Sequence, residues 1–85
     1  TLNHVATPEY WFHYRALPAK IRALAGRSFE LMKANPRHPS IHLKQVGDYW
    51  SARVGLHYRA LGVGVTGGVS WFWVGTHGEY DKLVG

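Results

Sequence analysis

From Ile41 to Leu83 the chain reads IHLKQVGDYWSARVGLHYRALGVGVTGGVSWFWVGTHGEYDKL, four short apolar runs separated by glycine-bearing turns. No other stretch constrains the fold as strongly. Ile41–Val46 alternates Ile41 and Leu43 with His42 and Lys44, the period of a half-buried strand. Gly47-Asp48 turns the chain. Tyr49–Gly55 and Tyr58–Val65 form a hairpin about Gly55-Leu56-His57. Thr66-Gly67-Gly68 is a tight turn of the kind that needs positive φ. Connections this short predict antiparallel neighbours. The last run, Val69–Gly75, is apolar at every second position of either phase, which predicts a central strand covered on both sides. Trp71 and Trp73, two apart, are expected on one face and in the core. A polar tail follows, Thr76-His77-Gly78-Glu79-Tyr80-Asp81-Lys82, with a last helical turn or a frayed end over Asp81–Gly85.

Ahead of the strands the periodicity changes. Leu2–Ala6 predicts a short edge strand. Thr7-Pro8-Glu9 carries an N-cap hydroxyl, a first-turn proline and a first-turn acid, and so starts a helix. This helix, Pro8–Leu17, is expected to pack through Trp11, Tyr14 and Leu17. Leu17-Pro18 closes it. Ala19–Ala34 then repeats Ile21, Leu24, Ala25, Ser28, Leu31 and Met32 at spacings of three and four, with Lys20, Arg22, Arg27, Glu30 and Lys33 opposite, an amphipathic helix stopped by Asn35-Pro36. Gly26 within it is unfavourable for a helix, and a close approach of the sheet is the expected reason. A helical hairpin followed by strands predicts an α+β domain, with the hairpin packed on one face of a small, mostly antiparallel sheet of four to five strands and the other face open.

Eighty-five residues make one domain, 1–85, with a small core. Twelve aromatic residues supply much of its burial. The formal charge of +5 fits a polyanion or an acidic protein as partner, and equally a charge that keeps a small basic protein in solution. The chain has no cysteine, which excludes disulfides, Cys-ligated zinc and thiol nucleophiles within it and fits a cytoplasmic location. Apolar runs are too short to span a bilayer. The start TLNHVATPEY lacks the basic leader and apolar middle of a signal peptide, and the absent Met is read as a processed or trimmed start. His4, His13, His38, His42 and His57 have no ligand spacing, so no metal and no cofactor is expected. The glycines of Val63–Gly68 lie between strands, so they form a turn and not a phosphate loop.

Three stretches carry a resemblance across nearly the whole chain: Asn35-Pro36-Arg37-His38-Pro39; Arg53-Val54-Gly55-Leu56-His57-Tyr58-Arg59; and Trp73-Val74-Gly75-Thr76-His77-Gly78-Glu79-Tyr80-Asp81. Together with the order of elements they resemble the RelE/ParE superfamily of bacterial toxins. The resemblance implies the toxin of a type II toxin–antitoxin pair, neutralised by a small antitoxin that wraps its basic surface. One branch cuts messenger RNA in the ribosomal decoding site without a metal, and the ParE-like branch inhibits DNA gyrase. It implies that Arg59 contacts the scissile phosphate and that His77 and Tyr80 occupy the positions of the basic group and the tyrosine near the C-terminus; Arg53 beside the hairpin turn and Lys44 on the polar side of the first strand are, from their charge and placement, the candidates to bind substrate. The nuclease pattern also carries lysines on the strand that here holds Trp50 and Ala52, so His77 or Glu79 would supply the general base.

Each of these residues also has a plainer reading. Arg59 shares strand phase with Leu61 and Val63, as a structural arginine paired with Glu30 or Asp48 would. Arg53 falls in phase with Tyr49 and Ser51, a more polar side. His77 is a solvated strand end or a partner of Asp81, and Tyr80 an aromatic pinned to the core. Lys44 is an edge-strand charge that blocks pairing between molecules. The sequence therefore supports a ribosome-dependent endoribonuclease, with a gyrase-inhibiting toxin or a catalytically inactive basic interaction domain as alternatives. The expected partners are an antitoxin, the ribosome and mRNA, with no membrane and no small-molecule ligand.

Overall fold

The computed structural model describes residues 3–35 and 37–84. Along the chain run β1 (Asn3–Ala6), α1 (Pro8–Arg15), α2 (Ala19–Ala34), β2 (Lys44–Val46), β3 (Tyr49–Val54), β4 (Tyr58–Val65), β5 (Gly68–Thr76) and α3 (His77–Val84). The strands form one sheet in the order β1-β5-β4-β3-β2. The three hairpins are antiparallel, as their turns require, and β1 alone runs parallel to its neighbour β5. The chain is α+β with the N-terminal helical hairpin on one face, as expected. The expected edge strand is present from Asn3; Leu2 lies outside the described residues, as does Pro36 of the Asn35-Pro36 stop. At the β1–β5 contact a Cβ on Gly68 would strike the Asn3 backbone, so only glycine admits the edge strand there.

Both N-terminal helices pack on the sheet face formed by Trp50, Ala52, Val54, Tyr58, Ala60, Val69, Trp71 and Val74. Thr7 Oγ1 caps α1 by accepting from Tyr10 N. The helix ends at Arg15, two residues early, and its buried side is Tyr10 with the half-buried Tyr14, while Trp11 is exposed. Burial and the neighbouring Tyr14 push the Tyr10 phenol up to about 12. In α2, Ala25 and Met32 are buried within the expected stripe and Phe29 joins it, its ring 6.0 Å from that of Tyr10. Arg22 Nη1 donates to Leu17 O at 2.7 Å and ties the hairpin together. Gly26 has open space around it, so no close approach of the sheet accounts for it.

The opposite face departs from expectation in two ways. Between Leu61 and Gly62 the β4–β5 register slips, and Phe72 is the extra residue in β5. This bulge reverses the strand's phase. Trp71 therefore joins the helix-hairpin core, and Trp73 packs on the other side with Leu61, Phe72, Tyr80 and Val84. Trp71 and Trp73 do not share a face. The second departure is α3, which begins at His77 and covers part of the face expected to be open. Beyond α3, a cross-strand row carries no helix among the described residues: Val46, Tyr49, Val63, Ser70 and Val5, half-buried to exposed and paired in succession across all five strands, with the Phe72 ring 5.9 Å from that of Tyr49.

Candidate functional site

The hairpin register sets the site. Arg53 on β3 stands directly opposite Arg59 on β4, and Lys44 on β2 opposite Ser51 on β3. Directly paired residues share a face, so Lys44, Ser51, Arg53, Arg59 and Leu61 all lie on the α3 side. The polar and apolar phases assigned to Arg53 and Arg59 from sequence are one face. Like charges opposite each other oppose folding, yet the chain sets two arginines together at the end of the β3–β4 hairpin. Trp50 and Ala52 fall on the other face, in the helix-hairpin core. A lysine there would point away from Arg59, so the absence of lysines at Trp50 and Ala52 removes nothing from this side of the sheet.

Arg59 is buried at 7% exposure. Its Nε donates to Ser51 Oγ at 2.8 Å, and Nη2 makes a long contact of 3.5 Å with His42 O. The guanidinium lies 5.2 Å from the Tyr80 ring centroid, within cation–π range. Among the described residues no carboxylate pairs with it: Glu30 pairs with Lys33, and Asp81 with His77. A guanidinium has five N–H donors. One on Nε and one on Nη2 are engaged, which leaves three for an incoming acceptor. A buried cation without a counter-ion is costly, and an anion would relieve that cost.

Tyr80, 5% exposed, anchors α3 to Leu61 and Trp73 while its ring faces Arg59. Gly75 pairs with Arg59 across the β4–β5 ladder, and a Cβ there would come 2.5 Å from the Trp73 ring, so glycine makes room for that ring. His77 opens α3, its backbone N donating to His57 O at 2.7 Å. Its ring stands 5.6 Å from that of Tyr80, and Nδ1 lies 3.2 Å from Asp81 Oδ2. A carboxylate at Nδ1 keeps the neutral proton there and leaves Nε2 as the free acceptor. Arg59, Tyr80 and His77 thus form a chain of ring contacts across the α3 side.

Glu79 faces elsewhere. Its Oε1 accepts from Thr76 N at 3.2 Å and from Thr76 Oγ1 at 3.0 Å, while Thr76 Oγ1 accepts from Glu79 N at 3.2 Å. This is a capping box. Those bonds, backbone first, hold the Glu79 carboxyl below the usual range. Glu79 lines a cleft of about 300 Å³ with His13, Tyr58 and Trp73. Arg53 turns its Nε to Gly55 O at 3.0 Å, and Lys44 is exposed on the edge strand. Sequence reasoning missed Ser51 and His42 as neighbours of Arg59, whereas Asp81 is the partner of His77 that the plainer reading named. The i, i+4 spacing of His77 and Asp81 was the available signal, and it becomes informative only when the tail is helical.

No protein-family model matches the sequence, and no curated protein matches it. Solved structures do. The chain superimposes on a RelB–RelE antitoxin–toxin complex from Methanococcus jannaschii at a TM-score of 0.71 with 14% identity, covering 93% of this chain and 96% of that one. A YoeB/ParE toxin from Agrobacterium tumefaciens gives 0.65 with 16% identity, over 89% and 99%. The isolated RelE toxin of E. coli gives 0.62 with 16% identity, over 99% and 96%. The chain therefore shares its fold with these RelE and YoeB/ParE toxin structures, the fold that the sequence resemblance implied.

Proposed function

We propose that this chain is the toxin of a two-gene toxin–antitoxin pair and acts in the cytoplasm as an endoribonuclease on messenger RNA at the ribosome. The observation that carries the reading is Arg59: a buried guanidinium with no carboxylate partner among the described residues, three free donors and a second arginine opposite. Arg presents a planar fork suited to phosphate. In the proposed reaction a base takes the proton from a ribose 2′-OH, O2′ attacks phosphorus, and the P–O5′ bond breaks. An acid then protonates O5′, leaving a 2′,3′-cyclic phosphate and a 5′-OH. Arg59 stabilises charge on the non-bridging oxygens. His77, with Nε2 free, transfers the proton, and Tyr80 aligns Arg59. Arg53 and Lys44 hold flanking phosphates. Glu79 contributes through the cap that holds His77 and Tyr80 in place.

The antitoxin reading draws support from the M. jannaschii structure, which is a toxin–antitoxin complex, and from the helix-free row Val46–Tyr49–Val63–Ser70–Val5. That row is about 19 Å wide at the usual strand spacing, and Val5 and Tyr49 are exposed in it. Lys44 adjoins it. An amphipathic acidic segment of the antitoxin fits it.

The test is induced expression in a sensitive bacterial host with mapping of transcript 5′ ends. New 5′-OH ends inside translated reading frames are expected, lost in Arg59→Ala and at least tenfold fewer in His77→Ala. Growth arrest with intact transcripts and an induced DNA-damage response would overturn the nuclease reading in favour of gyrase inhibition.

A further inference from the structure

His42 is the only non-glycine residue with positive φ among the described residues, at 48°. An L-residue reaches this left-handed region against a steric penalty, and such positions persist only where surrounding contacts hold them. Alternation of Ile41, Leu43 and their neighbours predicts a strand from Ile41, yet β2 starts only at Lys44. The kink at His42 is what delays it. Ile41 is 1% exposed, and its N donates to His38 O at 3.0 Å while its O accepts from Arg53 N at 2.6 Å. In an extended strand the next carbonyl would point the opposite way. The left-handed turn instead directs His42 O to Arg59 Nη2. Two successive carbonyls therefore address the two arginines, Ile41 the backbone of Arg53 and His42 the side chain of Arg59.

We infer that His42 is a positioning residue for Arg59, and that its left-handed backbone carries this role and its imidazole does not. The carbonyl dipole lies against a buried guanidinium that has no carboxylate. With Ser51 Oγ on Nε it fixes the plane of the fork and so the direction of the free donors. This rests on the reading of Arg59 as the anion-binding group of the site. Glycine at position 42 would keep the conformation at less cost. A β-branched residue would oppose it and pull the carbonyl away.

The experiment compares wild type, His42→Gly and His42→Val by the Arg59 Nε–H resonance of labelled protein titrated with inorganic phosphate, with sheet amide spectra as the check on folding. Wild type and His42→Gly are expected to respond with the same affinity, and His42→Val at least tenfold more weakly with its sheet intact. A folded His42→Val that matches wild type would overturn the inference. So would a His42→Gly as weak as His42→Val, because the imidazole would then be the working part, and so would a wild-type Arg59 that does not respond. If phosphate binds as expected but no transcript is cut, the inference stands and the nuclease reading falls.

Discussion

His4 sits on β1 with its ring 6.1 Å from that of Trp71, and its Nδ1 accepts from Trp71 Nε1 at 3.2 Å. The neutral proton is therefore on Nε2, which is buried and finds no hydrogen-bond partner among the described residues. Burial lowers the His4 pKa below its ordinary 6.5. The unfolded chain then takes up the proton first as pH falls. The stabilising contribution is present above about 6.5 and is lost below it, through the depressed folded value. Thermal unfolding at stepped pH should show stability falling from pH 6.5 to 5, with a shallower slope in His4→Phe, which keeps the ring stack and removes the titration. An identical slope in the variant would rule out His4 as the source. Neither the burial nor the Trp71 bond is legible from one histidine near the start of a sequence. Both depend on the distant pairing of β1 with β5, which sets His4 opposite Val69 and brings its ring to Trp71, 67 positions away.

At the scale of elements, α3 has eight residues, too few to hold together unaided. Its first turn is closed by Thr76 and Glu79, and Tyr80 pins its inner face. Thr76→Ala removes one side of the box and is expected to cost about 1 kcal/mol. Faster amide hydrogen exchange should be confined to residues 77–84, with the sheet unchanged. Glu79→Gln separates two roles, because glutamine preserves a capping box and abolishes a carboxylate base. Unchanged exchange and unchanged RNA cleavage are the expected pair. Cleavage lost with α3 intact would make Glu79 the base. The pattern Thr76-x-x-Glu79 is a helix start written in the sequence, and it places the helix at His77, ahead of the last turn expected from Asp81. The bulge at Phe72 was not legible at all. It is set by how β5 meets β4, and it alone decides that Trp73 supports α3 while Trp71 supports the hairpin.

For the whole molecule, the two sheet faces divide the work. One is closed by α1 and α2 and holds most of the core; the other carries the arginines, α3 and the mostly apolar row from Val46 to Val5. If that row receives the antitoxin, the double variant Val5→Glu, Tyr49→Glu should still arrest growth while the protein encoded beside it no longer rescues the cells. Rescue equal to wild type would place the antitoxin elsewhere. Both side chains are exposed, so the fold should tolerate the change. The sequence by itself determined the two long-range features that depend on local chemistry: a helical hairpin, from apolar spacing and proline stops, and a run of antiparallel strands, from alternation broken by glycine turns. Its resemblance also pointed to Arg59, Tyr80 and His77, which the structure brings into one chain of contacts. Only the tertiary structure decided that Arg53 and Arg59 share a face, that β1 returns parallel to β5, and that His42 turns its carbonyl onto Arg59. The reason is physical. Turns and helix stops are written in neighbouring residues, whereas register, bulges and the facing of side chains arise from pairing between distant ones.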